Sequence, residues 1–301
     1  MFAARYFAHA NVNTTDLSRA VEFYGSVLGL KSLGPTVPDH DQDGGPFDLA
    51  GQGVSWQGAF LADGRGLRGP VVDLLEWTKP PTAQPSPSED RSPGLRALGF
   101  AVGDVAAAVA KLRSYGCPVR SGRIFHDDSA QETVLTSDTD GTRLEIRQDP
   151  VSPRYESIRL ACRDLGASAA FYRDALHLVC DEPARYRVEA DGEVIEDGLN
   201  VRAYLPGQRE KFWLNLTQPS DPESMPASTR RGNTAGLYRM ALLSTDVERS
   251  FADLRTAVPD APSPTHAYVG EQYAPVPAIF FRDPGGTVVE YLEGMFVQSG
   301  S

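Results

Sequence analysis

The chain has 301 residues, 41% apolar and 23% charged, with 29 Lys and Arg against 40 Asp and Glu for a formal net charge of −11. That length suffices for one large core or two smaller ones, and the acidic balance argues against general binding to nucleic-acid backbones or anionic lipid surfaces. No apolar run approaches the roughly 18 residues of a membrane span, and the start Met1-Phe2-Ala3-Ala4-Arg5 has no apolar signal core, so the chain reads as cytoplasmic.

In chain order, the first predicted element is a strand from His9 through Asn13, followed by Asp16 as the cap of a helix carrying Phe23, Tyr24 and Leu28 at helical spacing. Two strands follow, one with Val54, Trp56, Gly58 and Phe60 on a single face and one with Val71, Asp73, Leu75 and Trp77. A Pro-rich polar stretch, residues 78–93, closes this unit. The second unit has a strand and turn at residues 98–105 with Asp104 as cap, a helix at 109–116, the turn Asp138-Thr-Asp140-Gly141 and a last strand at 143–147. After a short joint around residues 149–153, the third unit places Asp164 before the helix Ser168-Ala-Ala-Phe171-Tyr172 and ends in a strand at 212–216. A second polar linker, residues 218–233, precedes the fourth unit: a strand at 240–247 with Asp246 as cap, a helix at 250–255, the turn Asp283-Pro284-Gly285-Gly286 and a strand at 287–292.

The unit is therefore βαβββ used four times, at about 1–80, 94–150, 151–218 and 234–297, and the linker pattern divides the chain into halves 1–150 and 151–301. Residues two apart on a strand share a face, so Phe7, His9, Asn11 and Asn13 are expected to face inward in the first strand while Ala8, Ala10 and Val12 pack on the helix. Cys117, Cys162 and Cys180 are scattered and read as free thiols, neither a disulfide framework nor a zinc site. His40, His126, His177 and His266 read as surface histidines, and the long stretches at 35–53 and 180–200 are candidate lids. The signatures of nucleophile-elbow hydrolases, P-loops, Rossmann units and nucleic-acid modules are absent.

The helix pattern D-L-x-x-S/A-x-x-F-Y with its terminal D-G/P-x-G-x-x-x-E strand resembles the vicinal oxygen chelate superfamily, which includes glyoxalase I, extradiol dioxygenases and bleomycin-resistance proteins. The resemblance spans nearly the whole chain. It implies an α+β fold in which paired modules form curved mixed sheets around clefts, with a divalent metal often held on the inner faces. It implies one ligand position on the first strand of each module, which falls on His9, Ala97, Ser157 and Arg239, and one on the last strand, which falls on Asp73, Glu145, Asn215 and Glu290.

Which modules pair decides the site. Pairing one with two joins His9, Asp73, Ala97 and Glu145, a set whose His9, Asp73 and Glu145 could hold Fe, Zn, Mn or Ni. Pairing three with four joins Ser157, Asn215, Arg239 and Glu290, where a guanidinium takes the cation's place. Pairing one with four sets His9 and Asp73 beside Arg239 and Glu290, and favours a salt bridge over a metal.

Two functions follow from the resemblance. The first is a protein without metal cofactor that binds or tailors an aromatic, oxygen-rich natural product or drug, such as an aromatic polyketide, in antibiotic biosynthesis or self-resistance. His9, Asn11, Trp56, Phe60, Trp77, Ser157, Asn215, Arg239 and Glu290 would be its ligand-binding residues. The alternative is a metal-dependent glyoxalase, lyase, isomerase or dioxygenase with Asp73 and Glu145 as proton carriers. Partners would be a small molecule and a biosynthetic enzyme, with no nucleic acid or membrane, and the chain a monomer or homodimer.

Overall fold

Each helix starts where its aspartate puts it. Asp16, Asp104, Asp164 and Asp246 accept from the backbone N–H groups of Arg19, Ala107, Ala167 and Arg249, each at 2.9 Å. A second acceptor completes every cap. Glu76, Gln148, Gln218 and Glu293 accept from the first helical N–H, on Leu17, Val105, Leu165 and Val247, at 2.8 to 3.0 Å. These acceptors sit on or at the end of each module's last strand, so the cap also fastens helix to sheet.

The computed structural model describes residues 4–127, 129–151, 153–267 and 275–294. Module one supplies β1 (Ala4–Asn13), α1 (Leu17–Leu28), β2 (Lys31–Pro35), β3 (Gln42–Asp43), β4 (Gly53–Ala62) and β5 (Val71–Lys79). Module two supplies β6 (Gly94–Val102), α2 (Val105–Ser114), β7 (Val119–His126), β8 (Ser129–Ser137) and β9 (Arg143–Gln148). Module three contributes β10 (Arg154–Ala161), α3 (Leu165–Asp174), β11 (Val179–Cys180), β12 (Ala184–Ala190), β13 (Glu193–Tyr204) and β14 (Trp213–Pro219). Module four contributes β15 (Gly236–Ser244), α4 (Val247–Ala257), β16 (Thr265–Ala267), β17 (Val276–Arg282) and β18 (Val288–Glu293). Among the described residues no helix is long and apolar enough to cross a membrane.

Strand pairing joins module one with module four and module two with module three. One sheet runs β16-β17-β18-β15-β1-β5-β4-β2, with β3 on β4, and stays open as a half-barrel. The other runs β12-β7-β8-β9-β6-β10-β14-β13, and the β13–β14 and β12–β13 pairings close it into a barrel. The stretch 180–200, read as a candidate lid, is mostly the β12–β13 hairpin of this closure. Antiparallel seams unite the modules, β1 on β15 and β6 on β10.

Helices work along the other direction, within each half of the chain. The Tyr24 hydroxyl on α1 donates to Asp138 of module two at 3.0 Å, and Tyr172 on α3 donates to Asp283 of module four at 2.9 Å. The aromatic helix motif and the Asp-bearing turn are thus one interaction used twice. Between helices and sheets lies a continuous core with residues from all four modules, among them Phe23, Leu98, Ile158 and Met240.

The two linkers are fastened to each other. Ala83 N–H donates to the Asn233 carbonyl and Ala235 N–H to the Ala83 carbonyl, both at 2.8 Å. Beside them the buried Glu89 carboxylate accepts from Ser92 and Ser228 hydroxyls and from the N–H and hydroxyl of Thr229. Burial opposes the charge, but these four donors prevail and hold Glu89 below its ordinary 4.5. Replacing it in Glu89→Ala strands these donors, and we expect a loss of about 2 kcal/mol in urea denaturation at pH 7. Because the folded-state value is depressed, the carboxylate's contribution is complete above pH 4.5 and is lost as the pH falls below it, so wild type and variant should converge in acid. Equal stability of the two proteins at pH 7 would show that the linkers do not need the clamp.

Candidate functional site

The floor of the half-barrel is charged. Alternation along β1, β5, β15 and β18 puts His9, Asp73, Arg239 and Glu290 on the concave side, while Val12, Leu74, Met240 and Val289 go to the helix-side core. All four polar groups are buried. Arg239 divides its fork between the two carboxylates: Nη2 donates to Asp73 Oδ2 at 3.2 Å and Nε to Glu290 Oε2 at 3.1 Å. His9 Nε2 lies 3.3 Å from Glu290 Oε2 and 3.9 Å from Asp73 Oδ2 without an aligned hydrogen bond to either. Arg239 Nη1 and Asp73 Oδ1 are likewise buried and unpartnered.

Burial pushes both carboxylates up, and their neighbours separate them. In Asp73 burial outweighs His9 and Arg239, so its carboxyl lies above the ordinary 3.8. In Glu290 Arg239 and His9 outweigh burial and hold the group below the ordinary 4.5. Two acids a few ångströms from one guanidinium therefore differ in proton affinity.

Aromatic rings wall this floor. Trp56 and Phe60 on β4 and Phe280 on β17 line the cavity with Phe47 from the segment between β3 and β4. Phe47 packs edge-on against Trp56 and Phe280, each with centroids 5.6 Å apart, and the Arg239 guanidinium carbon lies 5.4 Å from its centroid. Thr36, Gln42, Asp43 and Pro46 from the same covering stretch, with His266 at the rim, complete the lining. The stretch 35–53 thus contributes to the wall of the site. The cavity measures about 60 Å³, less than half of the ~150 Å³ that admits a benzene ring.

Other predicted residues lie one layer back or elsewhere. Trp77 packs behind Phe47 edge-on and against Trp56 at a tilt, and its Nε1 donates to Asn13 Oδ1 at 2.9 Å. Asn11 Nδ2 donates to the Asp73 carbonyl at 3.2 Å, so Asn11 steadies β5 beneath the floor. Phe7 corrects the alternation: a register irregularity between Phe7 and His9 sends its ring into the helix-side core against Phe212, centroids 4.7 Å apart.

Glu145, Ser157 and Asn215 line a separate cavity inside the barrel, with Gly99, His126 and Trp213. The set His9, Asp73 and Glu145, expected if modules one and two paired, is divided between the two sheets, and Glu290 stands where Glu145 was placed. Glu145 faces Arg159 instead, 2.7 Å from Oε1 to Nε, and Arg159 also contacts Glu196. A Cβ at Gly99 would come 2.1 Å from Ser157 Oγ, so a larger residue here would turn that hydroxyl to another rotamer. His126, read as a surface residue, lines this cavity, and burial holds its imidazole below 6.5.

A divalent ion does not fit either set of residues. In the half-barrel the guanidinium already lies within hydrogen-bond distance of both carboxylates, and a cation bound about 2.1 Å from those oxygens would stand against it without intervening water. In the barrel Ala97 and Ser157 replace strong ligands, and Arg159 neutralises Glu145. Among the described residues no three His, Cys, Asp or Glu side chains are disposed to hold a metal. Phe47, Phe280 and His266 are among the lining residues that sequence reasoning missed. Only Phe280, at the inward position of an alternating strand, carried a readable signal.

Comparison with known proteins agrees with this architecture. Residues 6–146 and 154–291 match the family model described as Glyoxalase/Bleomycin resistance protein/Dioxygenase superfamily. An uncharacterized protein of Escherichia coli K12, YaeR, is 29% identical over 146 residues, covering 48% of this chain and 98% of its own length. Glyoxalase I of Zea mays superimposes with a TM-score of 0.68 at 18% identity, over 96% of this chain and 92% of that one. A putative dioxygenase of Bacillus subtilis reaches 0.58 at 16% identity, over 97% and 86%. At such identities the two structures speak for the fold alone.

Proposed function

The chain belongs to the glyoxalase/bleomycin resistance protein/dioxygenase superfamily, and from that premise we propose that its half-barrel cleft binds a small, flat, hydroxyl-bearing molecule. One observation carries this reading: a buried donor, Arg239 Nη1, and a buried acceptor, Asp73 Oδ1, both lack partners beside aromatic walls. A hydroxyl is the group that accepts from the first while donating to the second. A carboxylate fits less well, because the floor already holds two acids for one guanidinium, and a further buried anion would go unpaired. Phenolic natural products and drugs, aromatic polyketides among them, match that description. With only about 60 Å³ beneath it, the covering stretch 35–53 must shift to admit the ring.

Titration calorimetry with 2-naphthol and 2-naphthoate tests the reading. We expect 2-naphthol to bind at least about tenfold more tightly, the worth of roughly one hydrogen bond to a charged group. Phe60→Ala should weaken 2-naphthol binding. Affinity should fall as Asp73 takes up a proton, at a pH above the ordinary aspartate value of 3.8. Tighter binding of the naphthoate, or binding of neither compound, would sink the proposal.

The opposed proton affinities of Asp73 and Glu290 favour a second reading, proton transfer to or from a bound hydroxyl or adjacent carbon by Asp73. Loss of a ligand's carbon-bound deuterium to water, abolished in Asp73→Asn, would separate this chemistry from simple binding.

A further inference from the structure

We infer that Arg239 is a built-in replacement for a divalent ion: its guanidinium supplies the positive charge of the cleft and keeps metal ions out. The inference rests on the cleft being the ligand site, but its metal readout does not depend on any ligand's identity. His9 Nε2 lies 3.9 Å from an Asp73 oxygen and 3.3 Å from a Glu290 oxygen. An imidazole with two carboxylates is the donor chemistry that attracts a dication, although among the described residues the three are not set as a metal-binding group while Arg239 stands among them. What stands among them is a planar monocation. Nε serves one carboxylate and Nη2 the other, so each acid is met by a directed hydrogen bond. The third edge, Nη1, is buried and unspent. That edge is the counterpart of an open coordination position: a fixed positive group left free to receive a ligand's oxygen.

The arrangement also accounts for the buried charge. Two carboxylates sealed under Phe47, Trp56 and Phe280 require a permanent counter-charge, and a guanidinium cannot be deprotonated at any physiological pH. A bound ion can be lost to a chelator. Arg239 cannot, so the cleft keeps its polarity whatever metals are available.

The experiment uses the full chain, stripped with EDTA and titrated with Zn²⁺, Ni²⁺ and Mn²⁺ by calorimetry, with bound metal counted by mass spectrometry. Wild type and Arg239→Lys, which keeps the charge, should show no saturable uptake. Arg239→His removes the guanidinium and adds a ligand to His9, Asp73 and Glu290, so it should take up about one ion per chain, and Zn²⁺ should raise its melting temperature. His9→Ala added to Arg239→His should abolish both effects. Uptake of an ion by wild type that disappears in His9→Ala would overturn the inference. So would an Arg239→His protein that neither binds Zn²⁺ nor gains stability from it, whether folded beforehand or not, since the guanidinium would then be a structural pair only. Failure of 2-naphthol to bind alongside the expected metal results would remove the ligand reading and leave Arg239's role standing.

Discussion

Arg239→Met should cost the protein about 3–5 kcal/mol in urea denaturation at pH 7, the loss that follows when one partner of a buried ion pair is removed. The methionine fills much of the same space, so the effect is electrostatic rather than a cavity. Among the described residues Asp73 and Glu290 would be left with His9 as the one basic side chain within 4 Å of both. Without the guanidinium both carboxyls rise in the folded protein above their ordinary 3.8 and 4.5. A raised folded-state value means stability that is present below the unfolded value and is lost as the pH climbs through the folded one. The variant's deficit should therefore shrink steadily as the pH drops from 7 towards 4. Adding Glu290→Gln to Arg239→Met should recover part of the loss at pH 7, because one of the two stranded charges is gone. A deficit under about 1 kcal/mol, independent of pH, would mean that water reaches the floor and screens it.

The local grammar of this fold was legible, and its long-range pairing was not. Each capping aspartate could be assigned because N-cap geometry is settled within four residues of chain. The second cap was equally regular, with Glu76, Gln148, Gln218 and Glu293 each three residues beyond Asp73, Glu145, Asn215 and Glu290. Periodicity says nothing of it, because it links residues 43 to 59 apart. Strand alternation placed Asp73 with Leu75 and Trp77 correctly, and failed at Phe7, where an irregular register against β15 turns the chain.

Module pairing is a property of edges, and four copies of one unit present similar edges. Sequence alone allowed His9 to meet Glu145 or Glu290, and only the β1–β15 seam decides for Glu290. Phe47 was invisible for a different reason. It reaches the cleft from a covering segment with no periodic pattern, held by Gly44 N–H to the Gln52 carbonyl at 2.9 Å.

Arg159→Met is the matching experiment in the barrel, and there too about 3–5 kcal/mol should be lost. Arg159 is buried between Glu145 and Glu196, with its guanidinium carbon 5.9 Å from the Tyr186 ring centroid. Burial pushes Glu145 up despite Arg159, whereas Glu196 is held down by Arg159 and Arg143. The two sheets have thus reached one solution, an arginine between two acids at the centre of the concave side. They differ in what is left over. In the barrel the closing β12–β13 hairpin supplies Glu196, Glu145 faces a cavity of about 30 Å³, and Arg159, Glu196 and Tyr186 border a separate, polar opening of about 420 Å³. In the half-barrel the open edge leaves space beneath aromatic rings. Arg159→Met should accordingly cost stability while leaving 2-naphthol binding at its wild-type strength, whereas Arg239→Met should lose both. Loss of binding in Arg159→Met with binding retained in Arg239→Met would place the ligand in the barrel, and Glu145, Ser157 and Asn215 would then be the residues to follow.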